Sequence, residues 1–500
     1  TKQTATVTFT ARGEHKYERN SKAVIDETVE PYIVDKDGNR ATLDADGYYV
    51  VPGQGKYKIT ANGKDVDVEF IPEDNFLGTA DGISIRRVDS NGYDTGWSSK
   101  FPDKEPNIDG QLNTMDGQYV PTVTPIDIEG VDKTSKDIQG ATQKETPTFN
   151  TTASNAKGDK ISITPSAEYP AKLVDPATGR TIDATSVTVA GEGTYTINPT
   201  TGEVTFTPEP SFTGTAKGVE VTLSAPVGRN KDGKIQEEYI KTATAKYTPT
   251  VVGVTPTATP VETKDIQGAT QTGKPEFKGG TVEVNGVEKT VPINETVPAT
   301  FDDGSTTKTV DGVGKFTVAA DGTVTFVPEP NFVGTAPAVT VVREDMNGTK
   351  ASATYTPTVV GVTPTATPAE TTDIQGATQT GKPEFKGGTV EVNGVEKTVP
   401  INEDVPATFD DGSTTKTVEG VGKFTVAADG TVTFVPEPNF VGTAPAVTVV
   451  REDKNGTKAS ATYTPTVVGV TPTATPAETK DIQGATQTGK PEFKGGTVEV

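Results

Sequence analysis

Residues 264–371 and 372–479 differ at only four of 108 positions, Lys264/Thr372, Thr296/Asp404, Asp311/Glu419 and Met346/Lys454. A chain that writes one text twice must fold it twice, so the structural unit is a module of about this length and not the whole polypeptide. Looser copies lie upstream. The phrase VPEPNFVGTA stands at 327–336 and 435–444, with TPEPSFTGTA at 207–216 and IPEDNFLGTA at 71–80. Another copy opens at Lys480 and reaches mid-unit at Val500. The chain reads as a piece of a longer array. Its expected divisions are a leading segment or closing strand of a preceding unit (1–29), a divergent repeat with a long last hairpin loop (30–135), a repeat with longer loops (136–263), two near-identical repeats (264–371 and 372–479) and the start of another (480–500).

The alternation inside a unit has period two, and no window carries a 3.6-residue apolar period. In KFTVAADGTVTFV, Phe316, Val318, Val324 and Phe326 fall on one face, and Lys315, Thr317, Thr323 and Thr325 on the other. That predicts a hairpin with one buried face and one wet face rich in threonine. The same inner pairs recur as Tyr195/Ile197 with Val204/Phe206, and as Tyr57/Ile59 with Val68/Phe70. Asn285-Gly286, Asp303-Gly304 and Asn347-Gly348 suit tight turns that need positive φ. About seven short strands per unit, with turns every 8–12 residues, predict an all-β protein of tandem Ig-like or fibronectin-like sandwiches. The expected core of one unit is Phe277, Phe301, Phe316, Phe326, Phe332 and Tyr355 with Val282, Val284, Val318, Val324, Val339 and Val341.

The recurring phrase fits a corner between two sheets. Pro328 removes a ladder donor and ends a strand, Gly334 permits an unusual backbone angle, and Phe332 is the apolar plug between them. Each unit ends in TYTPTVVGVTPTATP, in which Tyr355 is expected to close the last strand. Pro357, Pro364 and Pro368 then hold a short, extended Thr/Pro-rich linker, giving beads on a string. Residues 2–9 (KQTATVTF) resemble the closing strand KASATYTP of a unit.

The totals exclude several functions. There are 46 basic and 68 acidic residues, a net charge of −22 that repels phosphate backbones and anionic membranes, so nucleic acid is not an expected partner. Cysteine is absent, which removes disulfides and thiolate chemistry. No run approaches the roughly 20 apolar residues of a membrane span.

Four features combine into a resemblance: DIQGATQ at the unit start, GxGK[FY]xV, the PEPNFVGTA corner and ATYTPTVVGVTPTATP at the close. Together they resemble the CshA-type fibril repeat of Gram-positive surface adhesins, closely over 136–500 and more loosely over about 30–135. The resemblance implies a secreted, wall-anchored fibril whose repeats form a stalk bearing a terminal adhesive region. Partners would then be a host extracellular protein, a glycan or a neighbouring cell, met mostly through regions outside these residues.

Candidate chemistry is sparse. His15, the single histidine, sits in a charged stretch, so neither a Ser-His-Asp triad nor a histidine metal site can be assembled. Glu276, Glu329, Asp302 and Asp303 could suggest a glycosidase pair. They recur as Glu384, Glu437, Asp410 and Asp411, which suits a repeat better than a single site. DKDGN (35–39) and REDMNG (343–348) could suggest calcium, but Arg40 stands where an EF-hand loop needs glycine. GVGKFT (312–317) lacks the Ser or Thr that follows Gly-Lys in a phosphate loop. An isopeptide cross-link through Asn331 is countered by Ser211 at the matching place. No catalytic, cofactor or metal residue is therefore expected. Besides the stalk, two readings stand: repeats that themselves bind a host protein or glycan, with the Trp97 loop (86–118) as one candidate surface, and cadherin-like repeats stiffened by calcium.

Overall fold

The structure is a computed structural model and describes residues 1–11, 24–89 and 114–500. His15 and Trp97 lie outside the described residues. The chain is nearly all strand, with one short 3-10 turn at Glu237–Tyr239 and no α-helix among the described residues. Contacts divide it into two compact units: Thr1–Val254 with Val282–Lys289, and Thr255–Thr281 with Thr290–Val500.

The repeat at 264–371 shows the plan. The strands of its two facing sheets are β1 (Val261–Ile266), β2 (Gln271–Gly273), β3 (Thr300–Phe301), β4 (Thr307–Val310), β5 (Gly314–Val318), β6 (Val324–Pro328), β7 (Gly334–Thr335), β8 (Val339–Glu344) and β9 (Lys350–Val360). One sheet runs β1-β9-β8-β3, with β7 also on β9; the other runs β2-β6-β5-β4. The expected hairpin is β5–β6, with Phe316 opposite Phe326 and Val318 opposite Val324. Upstream, Ile197 faces Val204 and Ile59 faces Val68, so the register of the inner pairs holds while the turn length varies. β1 lies parallel to β9, Val261 beside Tyr355 and Ile266 beside Val360. Two sheets face each other over an apolar layer, the sandwich that the alternation predicts.

Phe301, Phe316, Val318, Val324, Phe326, Val339, Val341 and Tyr355 form the core, with Phe277 and Phe332 only partly buried at its margin. Phe316 and Phe326 stack at 4.6 Å between centroids, and Tyr355 meets Phe316 edge-on at 6.4 Å. Val282 is half-buried, and Val284, although buried, is not part of this cluster. Both sit on an extra hairpin, a role that alternation alone cannot separate from a core strand.

The close of the unit differs from expectation. Tyr355 does not end the last strand: β9 continues through Pro357 to Val360. The proline is tolerated because it falls between two pairings on one edge. Along β9, pairing with β8 ends where Tyr355 faces Val339 and pairing with β7 begins where Thr358 faces Thr335, so no donor is needed between them. The unpaired connection shrinks to Gly361–Pro364, after which Thr365–Thr367 pairs with Glu384–Lys386. Likewise, Gln3–Val7 is an edge strand antiparallel to Asp65–Pro72, inside the first module's own sheet and in the position of β2 rather than β9. Its Gln-Thr sequence echoes Gln271-Thr272, a cue outweighed by the likeness to KASATYTP.

Candidate functional site

The recurring phrase is a corner, as its proline and glycine predict. It leaves β6 in one sheet and enters β7 in the other, where Gly334 pairs with Val359. Between them Phe332 N–H donates to the Glu329 carbonyl at 2.9 Å. The plug is shallower than expected: Phe332 is half-buried, touching Phe326 edge-on at 6.4 Å. Only Phe76, in the first module, is fully enclosed. The glutamate does more than face water. Glu329 Oε1 accepts from the Gly312 N–H at 3.2 Å, and Glu73, Glu209 and Glu437 do the same for Gly53, Gly191 and Gly420. It fixes the turn before β5 against the corner.

Sequence reasoning missed the two glutamines of DIQGATQ. Thr263 donates to Gln271 Oε1 at 2.6 Å, so the Tyr355 hydroxyl, 2.8 Å away, donates to Thr263. Gln271 Nε2 then reaches the Thr358 carbonyl at 2.9 Å. Burial pushes the Tyr355 phenol above its ordinary value, which keeps the donor protonated. Tyr247–Ser135–Gln143 and Tyr463–Thr371–Gln379 repeat the chain. Gln267 bonds the Pro330 carbonyl at 2.8 Å and accepts from Val362 N–H at 3.3 Å, joining strand, corner and exit. The signal was available: glutamine held at fixed places in otherwise alternating strands satisfies buried backbone.

The acidic candidates hold turns. Asp302 meets Lys308 at 2.5 Å, and Asp303 accepts from Ser305; these contacts keep both carboxyls below their usual range. Lys274 and Thr323 do the same to Asp321. A glycosidase acid needs the opposite shift. Glu276 pairs with Lys278 at 2.9 Å on an exposed face. In DKDGN, Asp35 Oδ1 accepts from the N–H groups of Asp37 and Asn39; in REDMNG, Asp345 Oδ1 accepts from Asn347 and Thr349. Both stretches are side-chain-capped turns. Among the described residues no group of three or more His, Asp or Glu side chains could hold a metal ion. Gly314-Lys315 opens β5, a strand, and Asn331 is exposed.

What the residues define is a tandem β-sandwich whose repeated polar groups brace its own strands. The chain belongs to the family described as the surface adhesin CshA repetitive domain, matched four times in tandem at 1–96, 125–251, 253–359 and 361–467. No curated protein matches the chain. Among solved structures it is similar to mouse cadherin-23 EC22-24, with 11% identity, 69% of this chain and 100% of that chain covered, and a TM-score of 0.26. It is also similar to the I9-I11 tandem of titin, with 13% identity, 68% and 99% covered, and a TM-score of 0.25. The described residues include no helix long and apolar enough to cross a membrane.

Proposed function

We propose that these repeats are a non-enzymatic stalk that carries the adhesive part of a wall-anchored, secreted fibril away from the surface of a Gram-positive cell. The observation that carries this reading is the tandem family match across most of the chain, joined to repeated side chains that are spent on bracing strands and turns. Charge spread along the array, −22 in total, keeps neighbouring stalks apart in solution. Partners of the whole fibril, a host protein, a glycan or another cell, are met elsewhere on it.

Two measurements test the proposal. Antibodies to the chain should label intact cells without permeabilisation. Beads coated with the 500-residue chain should show no saturable binding to a panel of extracellular-matrix proteins and host glycans. Saturable capture of one ligand would move the function to the repeats themselves, and failure to label intact cells would remove the surface location.

A further inference from the structure

The extra hairpin that does not join the sandwich core has a partner. In 372–479 it comprises β10 (Gly388–Val392) and β11 (Val395–Val399), joined by Asn393-Gly394 with Asn393 at φ 52°. It lies on β1 of the preceding repeat. Val392 and Val399 are buried in one cluster with Ile266 and Val362. The Lys397 ammonium sits 2.5 Å from Asp265 Oδ1, and the Asn393 side-chain amide donates to the Lys264 carbonyl at 3.2 Å. From the last hairpin of the same repeat, Asn455 donates to the Gln267 carbonyl at 2.9 Å. Gly268 lies directly under this amide: a Cβ there would come within 2.1 Å of Asn455 Oδ1 and would have to displace it. Every residue of the acceptor sequence Lys264-Asp265-Ile266-Gln267 is therefore engaged.

The contact occurs a second time in the chain. Lys289 meets Asp137 at 2.5 Å, and Asn285, also at φ 52°, donates to the Lys136 carbonyl at 3.1 Å. Both acceptors read Lys-Asp-Ile-Gln, and both hairpins read GTVEVNGVEKTV. The repeat 372–479 carries the same face with Thr372-Asp373-Ile374-Gln375. There Ile374 is 37% exposed against 7% for Ile266, and Val470 is half-buried where Val362 is buried.

We infer that Thr372, Asp373 and Ile374 form a docking site whose occupant is the hairpin matching Gly388–Val399 in a further repeat of this same kind. Recognition has three parts. A valine pair covers the isoleucine, the lysine answers the aspartate, and the left-handed asparagine turns its amide onto a backbone carbonyl. Residues 496–500 read GTVEV, the same sequence as the first strand of such a hairpin at 388–392.

The absence of cysteine makes the test direct. Single thiols are placed in the 500-residue chain by Ile374→Cys and by Ile266→Cys, and their maleimide labelling rates are compared. Ile374→Cys should react at least about tenfold faster, because the open face needs no local opening to be reached. The chain is then continued after Val500 by Asn-Gly-Val-Glu-Lys-Thr-Val, the residues that stand at 393–399. Labelling of Ile374→Cys should fall to the rate of Ile266→Cys. Adding Asp373→Lys should restore fast labelling in the extended chain. An extension that leaves the rate unchanged would overturn the inference, and slowing that persists in Asp373→Lys would remove the ion pair from the recognition. In the unextended chain, Lys397→Glu should speed labelling of Ile266→Cys and Asp265→Lys should reverse that gain; no change from Lys397→Glu would count equally against the site.

Discussion

Gly314→Ala is expected to destabilise its repeat strongly while leaving the next one unaffected. Gly314 opens β5 at φ 153°, a region that side-chain-bearing residues avoid, and a Cβ there would stand 2.4 Å from the Val327 carbonyl oxygen and 2.8 Å from the Phe326 ring. The clash is with backbone on one side and the core on the other, so no rotamer relieves it. Strained backbone and overpacking together should cost at least about 3 kcal/mol, a large share of the 5–15 kcal/mol that an ordinary domain possesses. Gly55, Gly193 and Gly422 occupy the matching place with φ of 151°, 154° and 154°. Hydrogen exchange of the whole chain reads the result from peptides spanning residue 311 or 419. These two differ in mass, because aspartate stands at one and glutamate at the other. Exchange should rise sharply in the first and not in the second; equal protection in both would show that the hairpin end can yield.

The second large effect belongs to the ring pair. Phe316 is fully buried and stacked on Phe326, so Phe316→Ala should cost about 3–5 kcal/mol, the usual penalty for emptying a closed aromatic site. Phe332→Ala should cost less, about 1–2 kcal/mol, because solvent already reaches part of the ring. Glu329→Ala should cost under about 1 kcal/mol, the worth of one exposed hydrogen bond to Gly312. The order Phe316, Phe332, Glu329 is checked by the same exchange measurement. A larger effect at Phe332 than at Phe316 would move the centre of the core to the corner.

The sandwich was legible because its code is local. Alternation placed Phe316, Val318, Val324 and Phe326 on one face, and Asn-Gly and Asp-Gly marked turns whatever their length. The corner was legible from Pro328 and Gly334, but the depth of Phe332 was not, since burial depends on what the opposite sheet brings near. TYTPTVV read as linker because proline normally ends a strand. That Pro357 falls in a gap between β8 and β7 is a long-range fact of register. Val284 and its counterpart Val392 alternate like core residues, and period two cannot say which core they enter. The fixed places of Gln267 and Gln271 signalled polar bracing, but the partners they brace were hidden for a related reason. An amide is informative only once the carbonyls around it are known, and those of Pro330 and Thr358 lie 63 and 87 residues away.

The parallel pairing of β1 with β9 has a consequence under tension. When the chain is pulled from both ends, the start of β1 is drawn one way and the end of β9 the other. The rungs from Val261–Tyr355 to Ile266–Val360 are then loaded in shear, side by side, and must give way together instead of peeling one after another. Tension of this kind is resisted by the barrier to opening and not by the equilibrium stability. Single-molecule stretching of the chain should therefore give discrete, high-force ruptures, one for each sandwich that holds this parallel pair, and a low, featureless extension would contradict shear loading.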